Sequence, residues 1–224
     1  MDKLTLGPED RSEVLRYLEY RGQDLPPEMI RQVDECMEQV NRAADPRYLM
    51  KIFGRDDKEA YPPELGFLTG DDIRRHLEGC EEVICLAVTL GSGIDNLLRK
   101  TQVRNMADAL IMDSCASTLI EAVCDSIDAG LRAQYQEKGK SLTYRFSPGY
   151  GDLPIEINPS FAALMETRRI GLSVSSSGIM IPRKSVTAII GVLDQPGAGT
   201  RRSCLTCNMK RSCRFRKNGV TCGQ

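Results

Sequence analysis

The chain has 224 residues and a formal net charge of −1, with 41% hydrophobic and 27% charged residues. This composition predicts one large globular domain, or one domain with appendages. No stretch reaches the roughly 18 apolar residues that a membrane span needs, and the first residues lack the apolar core of a signal peptide. We therefore expect no membrane partner, a cytoplasmic location, and nine cysteines kept as thiols.

The near-neutral total hides an uneven distribution of charge. Residues 201–224 contain seven Lys or Arg and no acidic residue, which leaves 23 basic against 31 acidic residues elsewhere. The acidic body argues against a nucleic-acid partner. The basic tail nevertheless keeps a zinc-containing nucleic-acid-binding protein as a rival interpretation.

The first half of the chain is predicted to be mainly helical. Residues 8–43 predict two helices separated by Gly22–Pro27, and the proline-containing segment 45–66 is predicted to be irregular. Thr69 is predicted to cap a short helix that continues to about Glu78. The only histidine, His76, follows two arginines and is predicted to lie at the surface.

The second half alternates strands with helices. The patterns predict a buried strand over Val83–Leu90, helices over Ile94–Arg99, 105–137 and 159–169, and further strands over Leu142–Phe146, Gly171–Ser175 and Ser185–Leu193. Strands before, between and after long helices indicate an α+β fold, with a mostly antiparallel twisted sheet and long helices packed on it. The chain divides into a helical region 1–80, a domain 81–196 and a cysteine-rich tail 197–224.

A glycine-containing turn, Gly91-Ser92-Gly93, follows the first of these strands. Such a turn could cradle a nucleotide, as in a Rossmann-type methyltransferase, but that site needs a second strand ending in an acidic residue about 20 residues later. Here a long helix follows, and Asn96 stands where the motif has its third glycine. A plain strand-to-helix turn is therefore favoured.

The stretch Arg145-Phe-Ser-Pro-Gly-Tyr150 has the residue types of a small-molecule site. Strand alternation places Arg145 and Ser147 on one face, Gly149 allows close backbone approach, and a guanidinium can grip a carboxylate with two hydrogen bonds. The residues alone leave two possibilities open. One is a ligand site, and the other is a turn with a surface arginine.

This motif, followed by the strand beginning at Ser185-Val186, resembles the reactivation domain of cobalamin-dependent methionine synthase. That domain binds S-adenosylmethionine through an Arg-x-x-x-Gly-Tyr motif. The resemblance covers about residues 83–193, and residues 13–23 also resemble the opening of small stand-alone relatives. Further matches are Glu121-Ala122, Ile170-Gly171-Leu172 and Met180-x-Pro182.

The resemblance implies roles for five residues. Arg145 meets the methionine carboxylate, and Glu121 helps to bind the methionine portion. Ser147 contributes backbone contacts, Gly149 belongs to the same motif, and Tyr150 contacts the nucleoside. No side chain is expected to act as a base or nucleophile.

The implied function is that of an accessory protein for a corrinoid enzyme. It binds S-adenosylmethionine and supports reductive remethylation of cob(II)alamin on a partner. That partner is a cobalamin-dependent methionine synthase or another corrinoid methyltransferase, with an electron donor such as flavodoxin or ferredoxin.

The tail carries four cysteines, Cys204, Cys207, Cys213 and Cys222, spaced C-x2-C-x5-C-x8-C. Four thiolates can close a tetrahedral site for zinc or hold an iron–sulfur cluster. Iron–sulfur is slightly favoured because the expected function consumes an electron, and a flexible basic tail with free thiols is the alternative. The other cysteines are predicted to be small buried hydrophobes: Cys36, Cys80, Cys85, Cys115 and Cys124.

Overall fold

A computed structural model defines the fold and describes residues 4–20, 22, 25–55 and 61–197. Its α-helices are α1 Arg11–Tyr17, α2 Pro27–Ala43, α3 Asp71–His76, α4 Ser92–Arg104, α5 Met106–Glu137 and α6 Asn158–Met165. Its strands are β1 Arg47–Gly54, β2 Glu82–Thr89, β3 Ser141–Leu142, β4 Ser173–Val174, β5 Met180–Ile181 and β6 Ser185–Leu193. The cysteine-rich tail lies outside the described residues.

The central sheet has the strand order β1-β2-β6-β3, and each neighbouring pair is antiparallel. An isolated bridge between Phe146 and Ile189 extends the pairing beyond β3. Strands β4 and β5 form a separate antiparallel pair. The predicted α+β fold with a mostly antiparallel sheet is confirmed. Because a Rossmann domain is built on a parallel sheet, this arrangement is incompatible with a Rossmann-type methyltransferase.

Strand β2 is apolar throughout because both faces of the sheet are covered. Ile84, Leu86 and Val88 point into a core formed with the long helices, whereas Val83 and Cys85 point into the core on the other face. A strand buried on both sides needs no polar alternation. The predicted buried strand is therefore confirmed.

Helix α5 spans 32 residues and is the longest helix of the upper layer, which also contains α2 and α4. Its start is capped by Asn105, whose side chain accepts hydrogen bonds from the backbone N–H groups of Ala107 and Asp108. The lower layer contains α3 and α6. The predicted long helix over residues 105–137 is confirmed.

Gly93, in the first turn of α4, has a packing role. An added Cβ on Gly93 would come within 2.2 Å of the carbonyl oxygen of Ala43, at the end of α2. Only a glycine allows this approach without a shift of the backbone. The contact gives Gly93 a structural role, which is compatible with the interpretation of this segment as a plain strand-to-helix turn.

Three local predictions were wrong. The segment predicted to be irregular contains β1, which pairs along its whole length with β2. His76 is buried rather than exposed, and its Nε2 lies 2.9 Å from the Oγ1 of Thr143. Thr69 does not cap α3, because the N-cap position is Gly70. Within the described part of the chain, no helix is both long and apolar enough to cross a bilayer.

Candidate functional site

The candidate site forms where the chain after β3 passes beneath α5. Backbone hydrogen bonds join Phe146 and Ile189 in both directions, and the ring of Phe146 packs into the lower core. Because successive side chains of an extended chain alternate, the neighbouring Arg145 points to the opposite face. It reaches α5 there, as its contacts with Glu121 show.

The guanidinium of Arg145 is held by two carboxylates of α5. Its Nη2 donates to Asp125 Oδ1 at 2.7 Å and to Glu121 Oε2 at 3.2 Å. The arginine side chain is only 13% exposed, whereas Glu121 and Asp125 are 46% and 73% exposed. Burial opposes the charged form, but the nearby Cys124, Asp125 and Glu121 outweigh it and raise the pKa of Arg145 above its ordinary value. The site therefore presents a permanent cation flanked by partly exposed anions.

The two carboxylates belong to a longer polar row on α5. Asp113, Ser117, Glu121 and Asp125 are spaced by four residues, so they lie along one side of the helix. Lys184 lies at the end of the row opposite Arg145. Its Nζ is 3.0 Å from Asp113 Oδ1 and donates to Ser117 Oγ at 2.8 Å. The row therefore forms ion pairs with one cation near each end, Lys184 at one and Arg145 at the other.

The segment after Arg145 forms a tight turn. The backbone N–H of Tyr150 donates to the carbonyl of Ser147 at 3.0 Å, and that of Gly149 donates to Leu153 at 2.8 Å. Gly149 has a φ of +91°, which strongly favours glycine. The ring of Tyr150 contacts Phe146 edge to face with centroids 6.4 Å apart, and the side chain remains 49% exposed. An exposed aromatic side chain thus follows Arg145 five residues later in the chain.

This turn is fastened to α3 by Asp152. The Asp152 carboxylate accepts hydrogen bonds from the backbone N–H groups of Asp71 and Asp72 at 2.7 and 3.0 Å. Asp72 in turn accepts from the backbone N–H of Asp152 at 3.2 Å. The N–H donors of Asp72 and Asp71 lower the pKa of Asp152. A residue from the turn therefore performs the capping role that the sequence suggested for Thr69.

The structure brings Glu121 and Arg145 together, and it places Ser147, Gly149 and Tyr150 on the adjoining turn. Sequence reasoning missed Asp125 and Asp152. Asp125 could have been found, since it lies one helical turn after Glu121 on the same side of α5. The capping carboxylate had no such signal, because its contacts are 80 residues away in sequence.

No metal site is evident in the described part of the chain. It contains no group of three or more His, Cys, Asp or Glu side chains placed to hold a metal ion. Cys204, Cys207, Cys213 and Cys222 lie outside that part, so the metal centre stays a prediction. The five remaining cysteines are buried, as predicted.

Comparison with known proteins identifies the fold. The crystal structure of the MetH reactivation domain bound to AdoHcy is similar to this chain, with a TM-score of 0.62 at 14% sequence identity. The match covers 95% of this chain and 82% of that chain. No family model and no curated protein matches the sequence. The chain therefore has the fold of that reactivation domain, as the sequence resemblance led us to expect.

Proposed function

We propose that Arg145 and Glu121 bind the amino-acid end of S-adenosylmethionine. The observation that carries this proposal is the 3.2 Å contact between the guanidinium and the Glu121 carboxylate. A largely buried cation beside a half-exposed anion is complementary to an α-carboxylate beside an α-ammonium group. The residues present therefore suit a zwitterionic ligand.

The turn from Ser147 to Tyr150 holds the nucleoside in this proposal. Gly149 has no side chain to obstruct a ligand, and the backbone of Ser147 supplies polar contacts. The half-exposed ring of Tyr150 offers an aromatic face for the nucleoside. The fold similarity supports this assignment, since the similar reactivation domain was crystallised with AdoHcy.

The function proposed for the whole protein is reactivation of a corrinoid enzyme. An electron from a donor such as flavodoxin or ferredoxin reduces cob(II)alamin to cob(I)alamin on a partner protein. The cobalt then forms a bond to the sulfonium methyl carbon, the S–C bond breaks, and S-adenosylhomocysteine leaves. The partner is a cobalamin-dependent methionine synthase or another corrinoid methyltransferase. When bound, S-adenosylmethionine supplies the electrophilic methyl group.

This chain contributes positioning in that reaction. Displacement at carbon needs the reacting atoms about 3–3.5 Å apart and nearly in line. The anchors for that alignment are Arg145, which is held by Glu121 and Asp125, and the turn, which is fixed to α3 by Asp152. The reaction requires no proton transfer from the protein, so no base or nucleophile is assigned.

A reconstituted remethylation assay tests this function. The protein is mixed with S-adenosylmethionine, a reductant and a cobalamin-loaded methionine synthase that lacks its own reactivation domain. Absorption should show conversion of cob(II)alamin to methylcobalamin, and Tyr150→Ala should slow it, whereas Tyr150→Phe keeps the ring and should retain the rate. If cob(II)alamin persists while a known reactivation domain converts it, the proposed function is wrong.

A further inference from the structure

Strand β1 forms one edge of the central sheet and carries an exposed apolar row. Tyr48, Met50 and Ile52 are 45%, 37% and 48% exposed. They pair with Val88, Leu86 and Ile84 of β2, so they lie on the same face as the upper core. The helices of that layer leave these three side chains exposed.

The same residues direct their backbone polar groups outward. The backbone N–H of Arg55, directly after β1, donates to the carbonyl of Glu81. In an antiparallel pair every second residue is hydrogen-bonded to the neighbouring strand, so the odd-numbered residues of β1 are the ones bonded to β2. The N–H and C=O groups of Tyr48, Met50 and Ile52 must therefore point away from β2. No residue in the described ranges forms a hydrogen bond with these outward groups.

Most exposed edges in natural proteins are protected by charged side chains, proline or a bulge. The row of Tyr48, Met50 and Ile52 has none of these, because the charged residues of β1, Arg47 and Lys51, are at odd positions and lie on the opposite face. Lys51 points to the opposite face, where its Nζ donates to the carbonyl of Leu164 and lies 3.3 Å from Glu166. Open backbone groups and apolar side chains on the same three residues are what an added strand requires.

The two longest segments of this chain outside the described ranges, residues 56–60 and the tail, fit the edge poorly. Residues 56–60 read Asp-Asp-Lys-Glu-Ala and offer no large apolar side chain. The tail begins beyond Gln195. The carbonyl of Gln195 accepts a hydrogen bond from the hydroxyl of Ser141 in β3, which is the edge of the sheet opposite β1. Its large apolar residues other than cysteine lie four to six positions apart rather than two, at Leu205, Met209, Phe215 and Val220.

We propose that β1 pairs antiparallel with β1 of a second copy of this chain, joining two four-stranded sheets into one. A two-fold axis at Met50 sets Met50 against its symmetry mate and Tyr48 against Ile52 of the other copy. About six backbone hydrogen bonds then form, since the three outward-facing residues exchange bonds in pairs. On the opposite face Lys51 meets Leu49 of the other copy, so no like charges are directly opposed.

Sedimentation velocity over a dilution series tests the proposal with the full-length protein. The wild type should be a concentration-dependent dimer. Met50→Lys should be a monomer with an unchanged circular-dichroism spectrum, because a lysine there is solvated in the monomer and apposed to a second lysine in the dimer. Leu110→Lys is the matched control, since Leu110 is 61% exposed on α5, and it should remain dimeric.

Hydrogen exchange supplies a second readout. The amides of Tyr48, Met50 and Ile52 should exchange slowly in concentrated wild-type protein and rapidly in dilute protein or in Met50→Lys. A wild-type protein that stays monomeric over the whole series overturns the proposal. A dimer that survives Met50→Lys overturns it as well. Binding of S-adenosylmethionine is measured separately, so neither result bears on the proposed function.

Discussion

The Nη2 nitrogen of Arg145 donates its shortest side-chain hydrogen bond, 2.7 Å, to Asp125, although Glu121 is the carboxylate implied by the family resemblance. Both acceptors share this one nitrogen. A ligand carboxylate that binds Nη2 must therefore share this nitrogen with Asp125 and Glu121 or displace them. The negative charge of Asp125 also repels the incoming carboxylate.

We therefore expect Asp125→Asn to strengthen binding of S-adenosylmethionine. Exposed ion pairs contribute roughly 0.2–1 kcal/mol, so the dissociation constant should fall by about 1.5- to 5-fold. Calorimetry measures the change. Asp113→Asn is the control. It removes a carboxylate from the same row of α5, but Asp113 pairs with Lys184 rather than with Arg145.

A ligand without the carboxylate distinguishes two explanations for a change in affinity: competition between Asp125 and the ligand carboxylate, and a structural effect of the substitution. Methylthioadenosine lacks the amino-acid end, so its affinity should be the same for wild type and Asp125→Asn. An equal gain for both ligands, or a loss for S-adenosylmethionine, would contradict the competition.

Arg145→Ala should weaken binding of S-adenosylmethionine by about tenfold to hundredfold, because a charge-assisted hydrogen bond contributes roughly 1.5–3 kcal/mol. The control is Arg169→Ala, which removes an arginine that is 67% exposed and paired with Glu166. Calorimetry on both variants, after circular dichroism confirms the fold, checks the prediction. Equal affinities for wild type and Arg145→Ala would remove Arg145 from the site.

Asp152→Ala should lower the melting temperature and weaken ligand binding, since the turn loses its attachment to α3. The effect should depend on pH. Hydrogen bonds from the N–H groups of Asp72 and Asp71 lower the pKa of Asp152 in the folded state. The stabilisation is therefore fully present above the ordinary pKa of 3.8 and is lost as the pH falls through the lower, folded-state value.

Thermal melts of wild type and Asp152→Ala at about pH 7 and about pH 2.5 measure this dependence. The difference in melting temperature should be larger at the higher pH. An equal difference at both values would show that the carboxylate charge is not what stabilises the turn.

Thiol labelling tests the predicted metal centre in the tail. Burial raises the pKa of Cys80 to about 11 and of Cys36, Cys85, Cys115 and Cys124 to about 12, so these thiols should resist labelling at neutral pH. Protein purified anaerobically should show few reactive thiols, and chelation should expose about four. Four reactive thiols before chelation, with no metal by elemental analysis, would exclude the site. An absorption spectrum distinguishes iron–sulfur from zinc.

The elements predicted well are those whose signal is local. The run Val83–Leu90 and the long uninterrupted helix over residues 105–137 needed no knowledge of their neighbours. Strand β1 was missed because Pro46 directly precedes it and Pro62 and Pro63 follow, although its alternation of exposed and half-buried residues is regular. A strand's existence is easier to infer from a buried run than from a half-exposed edge.

The candidate site was predictable where a motif or helical spacing marked it. The motif around Arg145 pointed to a ligand, and the resemblance added Glu121. The burial of His76 was not predictable, since it depends on Thr143 and Tyr144, which are far away in sequence. The attachment of Asp152 to α3 is equally non-local, because a carboxylate has no sequence signal for capping a helix 80 residues earlier.

The burial of His76 also provides a spectroscopic reporter. Its ring lies 5.0 Å from that of Phe146, which contacts Tyr150 at 6.4 Å. Because the chain has one histidine, its imidazole protons give a single set of resonances in a proton spectrum. If a ligand reorients Tyr150 and the ring of Phe146 moves with it, the ring-current shift that Phe146 produces at that imidazole changes. Occupancy of the turn can thus be followed by NMR without labelling the protein or the ligand.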